Sequence, residues 1–468
     1  MLHQRITLAL GAVATALTLG CTGTHEASAK SASPDMQIAP APVGQPSSSS
    51  TGSAPPTSAG SVPTTATSPT GVAASSSATA SGSATLQRDA AQRPTNAISD
   101  SPAVRAPVVV GNHPTPPVLD SLIKGTLPAR GLYVYRFGAN PRRMKHLIGI
   151  ADSTEINALI IDVKDEFGLN YVSDDPMVRK NAGTQVKASH LGALVDTIRA
   201  HGILPVARIV VFKDSVTARN NPDHTIRKED GTAWHDKKGQ TWVNPYANAI
   251  WEYNFRVAED AIKMGFGEIQ FDYIRFPEPY KSLPPQVFPE QHGRSKPQVL
   301  AEFLSTARKR FAQYGIRTTA DVFGLVTSVG GALEVGQQWE PIARSVDVVL
   351  PMTYPSHYPP GSFQLPHPNA APYDVIHIAV SRARERDAKL GITGEHVRPW
   401  LQAFSIGKPP YGPEQLEEQK RGVYDSGYDG WVMWEPGSRY DKFLPALEPT
   451  FVSRKKNPPV PRPSNRLE

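Results

Sequence analysis

Apolar residues in this chain gather into short, dense runs that recur at fairly even intervals from about residue 130 onward. The plainest is 157–164 (NALIIDVK), a nearly continuous apolar stretch that closes on charge, as expected of a strand buried on both faces. Similar runs predict strands at 131–135, 203–211, 267–276, 317–323, 346–353, 397–404 and 430–435. Helices are predicted between them: after Pro141, at 189–200 with Ser189 as cap and Gly202 as stop, at 246–264, at 297–314, weakly near Trp339, at 373–389 and at 413–426. Residues 214–243 read as a long polar excursion. Eight strand–helix alternations predict an α/β fold, and favour a closed (β/α)8 TIM barrel over an open doubly wound sheet.

The ends of the chain follow a different pattern. Residues 1–21 read as a lipoprotein-type signal peptide, with His3 and Arg5 ahead of an apolar run at 6–19 that is short for a permanent membrane span. It closes on Leu17-Thr18-Leu19-Gly20-Cys21, which resembles a bacterial lipobox with Thr18 where Leu is usual. Cys21 is the one cysteine of the 468 residues, so disulfides are excluded. Lipidation at Cys21 would anchor an exported protein to a membrane of the cell envelope; the alternative is an ordinary signal peptide with a chance cysteine.

Residues 22–124, rich in Ser, Ala, Thr and Pro, lack the apolar surface to offset ordering and predict a disordered linker. As a flexible coil of about a hundred residues this would span roughly 50–60 Å. The folded domain is then expected at 125–451, followed by a basic, Pro-rich tail at 452–468 that reads as a solvated end. The net charge of +6 is spread along the chain, which argues against nucleic acid as a partner.

At the predicted C-terminal strand ends, which converge on one mouth in such a barrel, the chain offers Arg136; Asp162, Lys164, Asp165 and Glu166; Arg208, Lys213 and Asp214; Asp272 and Arg275; Asp321; Tyr354, Ser356, His357 and Tyr358; Trp400 and Gln402; and Trp431, Trp434 and Glu435. Asp272 lies in 268–277 (EIQFDYIRFP), near the end of an apolar strand, where an acid needs a partner because burying a bare carboxylate is costly. Carboxylates among aromatics suit glycoside chemistry: one acid protonates the leaving oxygen, a second attacks or activates water, and ring faces stack on sugars. For any single aromatic, core packing is the competing reading, and for Asp272 a structural ion pair with Arg275. The one Gly-x-Gly pair, Gly265 and Gly267, precedes a strand, and neither a Walker loop, an H-E-x-x-H motif nor Cys–His ligand spacing occurs. No cofactor and no metal are expected.

The ordered motifs NALIIDVKDEFG (157–168), FDYIRFP (271–277), ADVFG (320–324), PMTYPSHY (351–358), PWLQAF (399–404) and GWVMW (430–434) resemble a bacterial glycoside hydrolase domain family, formerly a domain of unknown function and a TIM-barrel relative of established glycosidases. The resemblance covers roughly 125–451. It implies a barrel and a polysaccharide or glycan substrate. By analogy with the fourth- and fifth-strand acids of alpha-amylase-like barrels, Asp272 is expected as nucleophile, or as base if the enzyme inverts, and Asp321 as acid/base. Arg275 would hold Asp272, and Asp162 or Asp165 is the runner-up acid with Lys164 as charge partner. Lys164, Arg208, Arg275, Tyr354, His357, Trp400, Gln402, Trp434 and Glu435 are the expected substrate-binding residues. Many relatives are expected to carry Asn at the position of Glu435, which counts against Glu435 as an essential acid. The alternative function is a non-catalytic glycan-binding barrel that uses Trp400, Trp434 and the 354–358 loop as its platform.

Overall fold

In the computed structural model, which describes residues 117–458 apart from 186 and 189, the sheet has no free edge among its parallel strands. β1 (Arg130–Val134) bonds to β2 (Ala158–Asp165) on one side and to β9 (Trp431–Trp434) on the other. The parallel order from β2 to β9 runs through β4 (Leu204–Val210), β5 (Glu268–Asp272), β6 (Arg317–Phe323), β7 (Val348–Met352) and β8 (Trp400–Gln402). The exception is β3 (Gly168–Leu169), a short antiparallel strand folded back on the end of β2. The eight-stranded closed barrel expected from the sequence is therefore present.

The helices between strands are α2 (Pro141–Asp152), α4 (Leu191–Ala200), α6 (Asn248–Lys263), α7 (Lys296–Ala312), α8 (Trp339–Ala343), α9 (Pro372–Lys389) and α10 (Pro413–Asp425), preceded by α1 (Pro117–Lys124). Two short helices, α3 (Pro176–Lys180) and α5 (Ser215–Asn220), lie in the connections, the second inside the stretch read as a polar excursion. Ser189, the expected cap of α4, lies outside the described residues; His190, at φ 58°, precedes the helix.

Alternation along the strands separates two cores. Tyr133, Ile160, Val206, Leu350, Trp400 and Val432 fill the barrel interior, while their chain neighbours Leu132, Ile161, Ala207, Val349, Leu401 and Met433 pack outward under the helices. β2 carries a bulge between Asp162 and Lys164, which changes the phase of the strand just where it reaches the mouth. β5 stops at Asp272, short of the predicted 276, because Tyr273 takes a left-handed φ of 51° that the ladder cannot continue through.

Helix α1 falls in the last eight residues of the stretch read as linker. Leu119 and Leu122 are fully buried in the interior cluster, and Arg317, at the start of β6, donates to Leu122 O at 3.0 Å. An amphipathic turn too brief to stand out against the Ser- and Pro-rich sequence before it thus closes the barrel floor. Beside it, Glu268 receives Arg398 at 2.6 Å and Arg317 at 2.7 Å. The expected signal peptide, Cys21 and residues 22–116 of the expected linker lie outside the described residues. At the other end the described part of the tail, 452–458, is pinned: Arg454 pairs with Glu448, Lys455 with Glu395 and Lys456 with Asp425, and Arg130 donates to Val452 O.

Candidate active site

Three inward-facing positions at the tops of β2, β4 and β5 place two acids on one cation. Arg208 is the centre of the group: Nη1 donates to Asp162 Oδ1 at 2.5 Å, while Nε at 3.1 Å and Nη2, closer still, both donate to Asp272 Oδ2. Asp162 and Arg208 are direct register partners on adjacent strands, so their side chains meet without distortion. Asp272 Oδ1 accepts the Tyr273 N–H at 2.5 Å, a bond that the left-handed turn after β5 makes possible. Strained backbone of this kind gathers at functional sites. Three of the acceptor positions of Asp272 are thereby filled, and one on Oδ1 remains.

Aromatic rings wall this cluster. Tyr133 and Trp434 stack at 4.0 Å between centroids, and the Arg208 guanidinium lies 5.5 Å and 5.6 Å from their ring centres. The Tyr133 hydroxyl donates to Asp162 Oδ2 at 2.5 Å. Burial and the neighbouring Asp162 push that phenol pKa well up, so it stays a donor. Burial also raises the Asp162 pKa, with Arg208 opposing and Asp165 adding to the rise.

Asp321 lies below this level. It is 1% exposed, and Gln270 Nε2 donates to its two oxygens at 2.9 and 3.0 Å while Trp400 Nε1 donates to Oδ1 at 2.7 Å. Burial first, and the charge of Asp272 second, drive its pKa far above the ordinary carboxylate range. Two residues short of the end of β6, it is a buried acid beneath the mouth with its oxygens engaged by Gln270 and Trp400. The motif that carries it ends on Gly324, where a Cβ would collide with Met352 O and the Tyr358 hydroxyl.

Several expected site residues are employed elsewhere. Asp165 holds Arg136 through two bonds of 2.5 Å, and Arg136 also binds Gly168 O and Leu169 O, which fixes the β2–β3 turn. Lys164, expected at the mouth, is fully buried on the outer side with Asp214 at 2.8 Å and Asn254 at 3.1 Å, because the bulge in β2 redirects it. Arg275 does not reach Asp272: it pairs with Glu278 at 3.2 Å and lies against Trp242, Tyr273 and Phe323. The partner of Asp272 is Arg208.

Trp400 and Tyr354 are buried in the barrel interior rather than presented as a platform. Gln402 is also buried, accepting the Ser356 N–H at 3.0 Å and donating to Phe404 O, so it braces the loop after β7. On that loop His357 is half-buried against Tyr354 and Phe404, with Ser356 Oγ 3.1 Å from Nδ1; burial lowers its pKa to about 4. Glu435 accepts the Arg439 N–H at 2.6 Å and closes the turn after β9. Trp434, half-buried, is the expected aromatic that remains at the mouth, and its Nε1 has no partner among the described residues.

Two site residues escaped selection from the sequence. Tyr133 shares its strand phase with the interior positions of β1, a signal hidden in a five-residue strand. Glu166 stood among the acids at the strand ends, yet only the structure separates it from its neighbours. It is half-buried and makes no ion pair among the described residues. Burial, reinforced by Asp165 and opposed by Lys213, raises its pKa, and it acts electrostatically on Tyr133 and Tyr273 of the mouth.

A family model described as "Putative glycosyl hydrolase domain" matches residues 131–440. No curated protein matches the chain. Among solved structures, a hypothetical protein from Ruminiclostridium thermocellum is 32% identical over 41% of this chain and 97% of that one, with a TM-score of 0.37. The PgaB (BpsB) glycoside hydrolase domain from Bordetella bronchiseptica is similar over 68% of this chain and 97% of its own, at 16% identity and a TM-score of 0.51. At that identity the likeness concerns the fold, and it agrees with the closed barrel.

Proposed function

The chain belongs to this family of glycosyl hydrolase domains, and on that premise we propose that it hydrolyses glycosidic bonds of an envelope or extracellular polysaccharide. Asp272 is the nucleophile, or the general base if the reaction inverts. The observation that carries this role is the convergence of Arg208 and the Tyr273 N–H on Asp272, which orients a carboxylate at the end of β5 and leaves one acceptor position on Oδ1. The acid role passes from Asp321, whose oxygens are engaged below the mouth, to Glu166, which makes no ion pair among the described residues and has a raised pKa.

In the retaining form of this scheme, Asp272 Oδ1 attacks the anomeric carbon as Glu166 gives its proton to the departing glycosidic oxygen. Water then cleaves the glycosyl ester, losing a proton to Glu166 and releasing Asp272. In the inverting form Asp272 takes the proton from the attacking water. Trp434, backed by Tyr133, offers a ring for a sugar beside Arg208. Lipidation at Cys21 would hold the barrel at the envelope where such a polymer is found.

The test is turnover by the full chain on envelope and extracellular glycans, read as new reducing ends. Asp272→Asn is expected to lower kcat by about a thousandfold, with thermal unfolding little changed. Full activity in that variant overturns the assignment. Saturable glycan binding without turnover in the wild-type chain would replace it with the non-catalytic binding barrel.

A further inference from the structure

A cavity of about 620 Å³ lies at the mouth end of the barrel, and of the residues given catalytic roles above only Glu166 lines it. It opens between the β2–β3 turn, α3, α5 and the 235–241 stretch, and Glu166 is in its wall. Glu166 directly follows β2, and Ser215 in the wall stands two residues after Lys213, whose ammonium lies 4.9 Å from the ring centre of Tyr273, so the cavity opens at the same end of the barrel as Asp272.

Its charge is one-sided. Arg179, Lys180 and Arg219 line it with His235, against the single acid Glu166. Lys180 touches Asn221 Oδ1 at 2.8 Å, while the side chains of Arg179 and Arg219 have no carboxylate partner among the described residues. Some arginines of the outer helices are neutralised, as Arg256 by Asp175 and Glu252, Arg310 by Glu252 and Glu259, and Arg386 by Glu340, whereas Arg142, Arg143, Arg382 and Arg384 also have no carboxylate partner among the described residues. The ordinary reading of Arg179, Lys180 and Arg219 is a solvated complement to two helix C-termini. A cavity wall argues for more. Phe167, 38% exposed, provides an apolar edge.

We propose that this cavity is a subsite for an acidic sugar, one bearing a carboxylate or a phosphate, next to the bond cleaved at Asp272. Guanidinium groups bind both anions through paired hydrogen bonds. The inference rests on the glycosidase reading and gives its substrate a class: an anionic polysaccharide.

Calorimetric titration of the full chain with hexagalacturonate, with a glycerol-phosphate oligomer and with neutral maltohexaose tests it. One of the acidic probes is expected to bind and the neutral one not, and which acidic probe binds distinguishes carboxylate from phosphate. The double variant Arg179→Ala/Arg219→Ala should weaken that binding by about tenfold or more without moving the unfolding midpoint. Binding of neither acidic probe, equal binding of the neutral one, or unchanged affinity in the double variant overturns the subsite. Asp272→Asn keeps the two proposals apart. Retained turnover in that variant, with acidic binding still dependent on Arg179 and Arg219, removes the catalytic assignment and leaves the subsite. Turnover of neutral glycans that the double variant does not affect removes the subsite and leaves the catalytic assignment.

Discussion

Arg208 reaches Asp272 with two nitrogens on one oxygen, Nε at 3.1 Å and Nη2 closer, and holds Asp162 with the third. The arrangement sets the orientation of both acids and places the one strong positive charge among three carboxyl groups, the third being Asp321, whose proton affinity Arg208 also lowers.

Removing that cation should therefore do more than loosen one pair. Arg208→Met leaves Asp162 and Asp272 buried without their partner, and a loss of about 3–5 kcal/mol in denaturant unfolding is expected. Arg208→Lys keeps the charge but loses the planar fork, so it should fold better than Arg208→Met while kcat stays well below wild type. Equal stability of all three proteins would contradict the arrangement.

Glu166 must carry a proton to act as the acid, and its pKa is raised by burial. Activity should then hold through the range where ordinary glutamates are already ionised, and fall as pH rises through the elevated value. Glu166→Gln should lower kcat/KM for natural glycans by about 10²–10³-fold and remove that basic limb. Substrates with an activated aryl leaving group, which needs no proton, should be affected much less. A basic limb that persists in Glu166→Gln assigns it to another residue.

Helix α1 belongs to the barrel. Leu122 is fully buried at the floor, and Leu122→Ala should cost about 2–5 kcal/mol in equilibrium unfolding. A chain beginning at residue 125, the boundary suggested by composition, should be less stable than one beginning at 117. Identical unfolding midpoints for the two would show that the floor contributes nothing.

His357 gives a signed pH dependence. Its pKa is lowered by burial to about 4 in the folded protein, from an ordinary value of 6.5. Between those values the unfolded chain binds a proton that the native state refuses, so stability falls as pH is lowered from about 6.5 and levels off below about 4. The full difference is about 3 kcal/mol. His357→Gln should flatten this part of the stability–pH curve, and an unchanged slope would mean that His357 titrates freely in the fold.

Most of the barrel could be read from periodicity. Each of the eight strands was placed to within a few residues, because a strand enclosed by helices and interior alike must be apolar for most of its length, as 158–161 in β2 and 348–350 in β7 show. The acids were also visible, since a charge ending such a run demands a partner. What could not be read was which partner. Arg275 stands three residues from Asp272 and was the natural choice, whereas Arg208, 64 positions earlier, is the true one. Closure of the barrel brings β4 beside β5, and the left-handed Tyr273 turns the chain so that Arg275 points to Glu278.

The same reasoning separates the remaining assignments. The sequence by itself determined the class of fold, the order of the strands and the pool of carboxylates and aromatics from which a glycosidase site could be drawn; these follow from local alternation and burial. Only the tertiary structure decided that Lys164 turns away, through a bulge in β2, that Asp321 lies below the mouth, bound by Gln270 and Trp400, and that Glu166 makes no ion pair among the described residues. It also decided that α1 is part of the domain. Proton affinity and reach depend on desolvation and on distances across strands far apart in the chain, and neither is set until the sheet has closed.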